Sequence, residues 1–235
     1  MKKLKEILYK VAIERVSGLT SGSVTDIAVD SRQVIKNCIF VAVNGGEMDG
    51  HDYINEAIAS GANSIVCEQL PKALHQEVVY IQVNDSRAAL GYIAANFHNT
   101  PSSQLHLVGI TGTNGKTTVA TLLFDLFNNQ KKKVGLISTV AIRYDDKYFE
   151  STHTTPNPIV INQHLRSMVD SGVTHCFIEV SSHGIDQKRI TGLAFTGAIF
   201  TNLTHDHLDY HPSFKHYRDT KKLLFDGLDK NGFAL

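Results

Sequence analysis

At 235 residues the chain is long enough for one large domain or two ordinary ones, and 23 Lys plus Arg against 23 Asp plus Glu leave no formal net charge. That balance argues against a general binder of phosphate backbones, so nucleic acid is not expected as a partner. Hydrophobic residues at 42% and charged residues at 20% exclude disordered, collagen-like and coiled-coil classes.

The N-terminus begins with lysines, and Lys10, Glu14 and Arg15 break the uninterrupted apolar stretch a signal peptide requires. Leu4, Leu8, Val11 and Arg15 follow helical spacing instead. No apolar run reaches the ~20 residues that cross a bilayer, so no membrane insertion is predicted and the expected address is cytoplasmic. Cys38, Cys67 and Cys176 lie in apolar strand-like runs. An odd, widely spaced set makes neither a disulfide framework nor a zinc ribbon, and these read as reduced core residues.

Strand-like runs at 24–29, 38–43, 64–67 and 78–83 alternate with helical patterns at 53–59 and 87–97, which predicts a small α/β domain. Asn99 to Gln104, polar and carrying Pro101, marks the boundary, giving domains at 1–100 and 101–235. Beyond it the pattern predicts a strand at 105–110, a Gly-rich turn, a helix at 117–128, a strand at 134–138 and a hairpin about Asp145-Asp146. A helix at 159–170, strands at 175–180 and 198–201, and a helix at 214–225 follow. Strands alternating with helices imply a doubly wound parallel sheet. Residues 231–235 read as the start of a further strand, so the chain is expected to be truncated.

Between the strand at 105–110 and the helix at 117–128 stand Gly112, Thr113, Asn114, Gly115, Lys116, Thr117 and Thr118. Glycines let backbone N–H groups converge on phosphate oxygens, the helix N-terminus adds positive potential, Lys116 reaches terminal phosphates, and a Thr hydroxyl can ligate Mg²⁺. The common spacing of such loops calls for glycine at position 110, where this chain has Ile110, with Gly109 one place early.

Glu179 ends the strand at 175–180, at the sheet edge where ligands gather, and can hold a metal that bridges ATP phosphates. The next strand runs into Thr204-His205-Asp206-His207-Leu208-Asp209-Tyr210-His211. Such a cluster admits zinc, but hard Mg²⁺ or Mn²⁺ fits better beside a phosphate loop and a carboxylate. In the helix at 214–225, Phe214, Tyr217, Leu224 and Phe225 form one apolar stripe with Lys221 in its middle. A lysine there must snorkel, pair, or lose its proton and add CO₂ to become a carbamate. From the residues alone a salt bridge is the favoured reading.

Gly112 to Thr118, Thr154-Thr155-Pro156-Asn157, Glu179 to Gly184 and Asn202 to Asp209 together resemble the Mur ligases, and within them the MurE branch, which adds the third residue of the peptidoglycan stem peptide. Asp30-Ser31-Arg32, Phe40-Val41-Ala42 and Asp49 to Ile54 extend the likeness through the first domain. MurF ligases share much of that first domain but are not expected to combine Thr-Thr-Pro-Asn with Glu-Val-Ser-Ser-His-Gly. Folylpolyglutamate synthases lack this first domain, and MurC and MurD begin with a different one.

The resemblance implies that Ser31 contacts the uridine diphosphate end of the substrate, and that Thr154, Thr155, Ser181, Gln187 and Arg189 hold the muramoyl dipeptide. It implies that Lys116 binds ATP phosphates, Thr117 holds a first Mg²⁺, Glu179 serves both metals, His207 ligates the second, and Lys221 is a carbamylated lysine, against the salt-bridge reading. The implied partners of a monomeric enzyme are ATP, UDP-N-acetylmuramoyl-L-alanyl-D-glutamate and a diamino acid, meso-diaminopimelate in preference to L-lysine. ATP would phosphorylate the D-glutamyl γ-carboxylate and an amine would attack the acyl phosphate; the fragment alone is expected to bind but scarcely turn over. A non-catalytic UDP-sugar or nucleotide-binding module and a P-loop phosphotransferase are the rival readings.

Overall fold

The N-terminal lysines start a short strand, β1 (Lys2–Lys3), and a single helical turn, α1 (Leu4–Ile7), that buries Leu4 and Ile7. The chain then departs from the helical spacing, because Lys10 takes φ +63° and Ile13–Ser17 forms a strand, β2, that contains Arg15. A left-handed residue cannot continue an α-helix, and β-branched Ile13 and Val16 favour the pleated alternative. The structure is a computed structural model and describes residues 1–46, 48–206 and 209–235. Packing divides the chain into two units, Met1–Phe97 and His98–Leu235.

The first unit continues with β3 (Ser23–Val24), β4 (Ile27–Ala28), β5 (Cys38–Val41), α2 (Ile54–Ala59), β6 (Ala62–Cys67), β7 (Val79–Val83) and α3 (Ser86–Phe97). The expected strand at 24–29 is thus two pieces. Between them the Asp26 carboxylate accepts the N–H of Ile27 at 2.8 Å and the Thr25 hydroxyl donates to the Lys36 carbonyl at 2.7 Å, so side chains take bonds a ladder would need. The main sheet runs β2-β7-β6-β5-β4, parallel from β4 to β7 and antiparallel at β2. Cys38, Phe40, Ile65, Cys67 and Tyr80 belong to its core.

The second unit contains β8 (His106–Thr111), α4 (Lys116–Asn129), β9 (Val134–Ile137), β10 (Ala141–Tyr144), β11 (Lys147–Glu150), α5 (Pro158–Asp170), β12 (His175–Glu179), α6 (Ser182–Asp186), β13 (Gly197–Phe200), α7 (Phe214–Asp226) and β14 (Phe233–Ala234). The polar stretch at 99–104 belongs to it and contains a 3-10 turn, Pro101–Gln104, whose Ser102 is buried and accepts the N–H of Ala194 at 3.0 Å. Pro158 in the first turn and Asn157 accepting from Val160 N–H at 3.0 Å fix the start of α5. The five-residue α6, too short to show a period, escapes sequence reading; Ser181 caps it by accepting from Gly184 N–H at 3.0 Å.

The sheet order is β11-β10-β9-β12-β8-β13-β14, parallel from β9 to β14 with the β10–β11 hairpin antiparallel at one edge. Alternation along the strands supplies both cores. Leu107, Ile137, Cys176 and Ile178 face α5 and α7, whereas Val108, Ile110, Leu136 and Phe177 face α4. From β8 the chain goes to β9, beyond β12; from β12 it crosses back to β13, on the other side of β8. The connections leave the β8–β12 pair in opposite directions, which opens a crevice at their carboxyl ends.

Candidate functional site

The crevice is floored by the loop that joins β8 to α4. Gly112 takes φ +147°, and a Cβ there would stand 2.0 Å from the Thr201 hydroxyl, so only glycine fits. Gly115, at φ +82°, is the N-cap of α4, and no side chain caps the first turn. An uncapped N-terminus of a 14-residue helix, preceded by this turn, offers N–H groups to an anion. The loop is clamped from β13's end: Asn202 accepts the Asn114 N–H through its side chain and the Thr113 N–H through its carbonyl, both at 2.9 Å. Thr201 donates to the Asn114 carbonyl at 2.6 Å. Thr113 shares a 3.0 Å bond with the buried Tyr217 hydroxyl and accepts from Thr204 N–H.

Lys116 folds back to donate to the carbonyls of Gly112 and Thr113, at 3.0 and 2.8 Å. Burial pulls its amine below the ordinary lysine range, opposed by Glu179 and Asp206. Thr117, on the next position of α4, donates to Glu179 Oε2 at 3.0 Å. The Glu179 carboxylate is fully buried and receives two further bonds from Thr139: the backbone N–H to Oε1 at 2.9 Å and the hydroxyl to Oε2 at 3.1 Å. A threonine hydroxyl beside a carboxylate, one step from the phosphate loop, is a hard-oxygen donor pair that suits Mg²⁺ rather than a soft metal.

Gly109 explains the departure from the usual loop spacing. It is a strand glycine, where an added Cβ would meet Phe195 at 3.0 Å and Leu224 at 3.2 Å, so its job is to let α7 approach β8. Ile110, fully buried, faces α4 instead. The close approach carries Lys221, one turn before Leu224, to the loop, where it donates to the Gly112 carbonyl at 2.9 Å and stands 4.5 Å from the Tyr217 ring centre. Burial first, then the nearby Lys116 ammonium, bring the Lys221 amine down to about 7, against the pull of Asp206. Among the described residues, the partner anticipated in the salt-bridge reading is replaced by a carbonyl and a ring.

Thr154, Thr155, Ser181, Gln187 and Arg189 are gathered beside Glu179. Thr155 donates to the Glu179 carbonyl at 2.9 Å and accepts from Ser181 N–H at 2.9 Å. Arg189 donates to the Thr155 carbonyl at 2.7 Å and forks onto Gln187 at 2.7 and 3.1 Å. Thr154 meets the Thr139 hydroxyl at 3.0 Å. Gly184 permits this packing, since a Cβ there would lie 2.7 Å from that of Thr155. Thr118 continues α4 after Thr117.

Ser31 lies in the first unit, on a 3-10 turn over Ser31–Gln33, and borders a cavity of about 390 Å³ with Asp30, Arg32, Val43, Met48 and Tyr53. Asp30 accepts from the Arg32 backbone N–H and from the Nε and Nη2 of its guanidinium at 2.7 to 3.0 Å, which holds the carboxyl down to about 2.

His207, expected as a metal ligand, lies outside the described residues. Among the described residues no group of three or more His, Cys, Asp and Glu side chains is placed to hold a metal. His211 is buried, 3.0 Å from His216 through their Nδ1 atoms. Thr139 was missed by sequence reading; it follows β9 at the same carboxyl edge that singled out Glu179, so the edge rule applied to every strand would have found it.

A model for the Mur ligase middle domain matches residues 110–235, and one for the Mur ligase family catalytic domain matches residues 23–98. The UDP-N-acetylmuramoyl-L-alanyl-D-glutamate–2,6-diaminopimelate ligase of Cytophaga hutchinsonii is 52% identical over 233 residues, covering 99% of this chain and 48% of that protein. The chain therefore spans about half the length of the curated relatives it matches. A solved structure of a ligase of the same name superposes with a TM-score of 0.81 at 25% identity, over 97% of this chain and 45% of that one. The MurF ligase from Thermotoga maritima in complex with ADP shares the fold at a TM-score of 0.59 and 22% identity, over 89% of this chain and 44% of that one. No helix among the described residues is long and apolar enough to cross a membrane.

Proposed function

The chain belongs to the Mur ligase family, and from that membership we propose that the protein is the ATP-dependent ligase that joins meso-diaminopimelate to UDP-N-acetylmuramoyl-L-alanyl-D-glutamate. The observation that carries the proposal is the buried Glu179 carboxylate accepting from Thr117, the residue after the phosphate-loop lysine. The 2,6-diaminopimelate ligases that are half identical to the chain favour that amino acid over L-lysine. In this reading residues 1–100 recognise the UDP end, with Ser31 at it, and residues 101–235 carry the ATP site.

The reaction requires a carboxylate to attack a polyphosphate, two anions that repel, so preorganised positive charge must offset the repulsion. Gly112 to Thr118 cradle the phosphates, and Lys116 turns from its two loop carbonyls to the terminal phosphate. Thr117 and Glu179 would hold one Mg²⁺; His207 and a carbamate on Lys221 would hold a second, with Glu179 serving both. Bound there, Mg²⁺ supplies charge neutralisation across the phosphates. Thr154, Thr155, Ser181, Gln187 and Arg189 orient the muramoyl dipeptide so that its γ-carboxylate faces the terminal phosphate. Transfer makes an acyl phosphate and ADP, and the incoming amine expels phosphate to leave an amide. A neutral Lys221 amine can add CO₂ and release a proton, and its lowered proton affinity supports that role.

Incubating the full-length polypeptide with ATP, Mg²⁺, the UDP-muramoyl dipeptide and either diamino acid tests the reading. ADP release that depends on both co-substrates, with a new amide product, is expected with meso-diaminopimelate. A stable phosphorylated product would make the protein a phosphotransferase, and binding without turnover would make it a recognition module.

A further inference from the structure

Glu179 is held from both sides of the crevice. On the nucleotide side Thr117 donates to Oε2 at 3.0 Å; on the other side the Thr139 hydroxyl donates to the same oxygen at 3.1 Å. That hydroxyl also lies 3.0 Å from the hydroxyl of Thr154. A threonine hydroxyl owns one proton, so Thr139 can donate to Glu179 or to Thr154, but not to both at once.

We propose that Thr139 is a positioning residue that couples the metal and nucleotide side of the crevice to the acceptor side by turning this single proton. The inference rests on the proposed function. While Thr139 donates to Glu179, Thr154 satisfies Thr139 with its own proton and presents only lone pairs outward, which repel an anion. A divalent cation held by Thr117 and Glu179 would draw on the Oε2 lone pairs and weaken that oxygen as an acceptor. Thr139 would then donate to Thr154, leaving the Thr154 proton free to meet an anionic group of the acceptor substrate. Loading one side therefore strengthens binding on the other, and the effect is reciprocal. The Thr139 backbone N–H, 2.9 Å from Oε1, stays on the carboxylate in either state. Thr139→Val thus removes the relay while leaving Glu179 its amide bond.

Calorimetry on the full-length polypeptide reads the coupling as the ratio of dissociation constants for the UDP-muramoyl dipeptide without and with saturating Mg²⁺ and ADP. The unaltered protein should show a ratio of about five, at the lower end of ordinary coupling between sites. Thr139→Val should bring it to about one with the fold retained and both ligands still binding, and Thr139→Ser should restore it. Thr154→Val, which breaks the relay from its other end, should also give about one. A ratio kept in either valine variant, or a ratio of one in the unaltered protein, overturns the inference. Failure of the unaltered protein to bind either ligand would sink the proposed function instead.

Discussion

Replacing Lys221 with Met should flatten the dependence of stability on pH. The amine falls from 10.5 in an unfolded chain to about 7 in the fold, chiefly through burial. Between those values the unfolded chain holds a proton that the native state has released, so stability rises with pH across the window at about 1.4 kcal/mol per pH unit. Below about 7 the full cost of a buried ammonium, about 5 kcal/mol, is present; above 10.5 it is gone. The methionine also forfeits the bond to the Gly112 carbonyl and the contact with Tyr217, about 2 kcal/mol together, which leaves the variant about 3 kcal/mol more stable at mildly acid pH. Its advantage should shrink as pH climbs and reverse in alkaline buffer. Urea unfolding of the second unit from pH 6 to 9.5, in buffer stripped of CO₂, measures this directly. Parallel stability profiles for the two proteins would refute the argument that burial has lowered this amine. A separate arm adds bicarbonate at pH 8, which should stabilise the unaltered protein and leave the variant unmoved; no effect on either sinks the carbamate and leaves the pH slope standing.

Lys221→Ala should abolish amide formation by the full-length polypeptide, with partial return on adding short carboxylates; full activity in that variant would remove the carbamate from the mechanism. Gly112→Ala places a methyl 2.0 Å from the Thr201 hydroxyl, and should weaken ADP binding by tenfold or more, an effect of about 1.4 kcal/mol or larger, as read by calorimetry. Gly184→Ala drives a methyl to 2.7 Å from Thr155 and should weaken the UDP-muramoyl dipeptide far more than ADP; equal losses would point to general unfolding. Burial pushes the Cys38 and Cys67 thiols up to about 11 and Cys176 further, so a thiol reagent at pH 8 should label none of them until denaturant is added.

The sheet of the second unit was legible because a fully buried parallel strand reads as an apolar run, and the runs at 105–110, 134–138 and 175–180 stand where β8, β9 and β12 form. The first thirty residues were less so. Leu4, Leu8, Val11 and Arg15 keep a helical period by composition, yet a left-handed Lys10 ends the turn, and pairing to β7 takes Ile13–Ser17 into the sheet. Such a choice is made by a partner strand more than sixty residues away and leaves no local mark. In the site, Lys116, Thr117 and Glu179 announce themselves by position at a strand end or helix start; Thr139 shares the strand-end position, but its bonds to two residues distant in sequence are set by tertiary packing.

Gly109 joins the two kinds of information. Against a loop pattern it is a glycine in the wrong place, but in the sheet it is the gap through which Leu224 packs on β8. That packing fixes the depth of α7, and the helical repeat then sets Lys221 beside the Gly112 carbonyl one turn away. A larger side chain at 109 would force α7 outward and take the amine from the phosphate loop without touching any residue of the loop itself. The irregular spacing is therefore a requirement of the lysine rather than a weakened version of the loop, because a loop glycine at 110 would leave Ala120 and Phe124 of α4 without the core contacts that Ile110 makes.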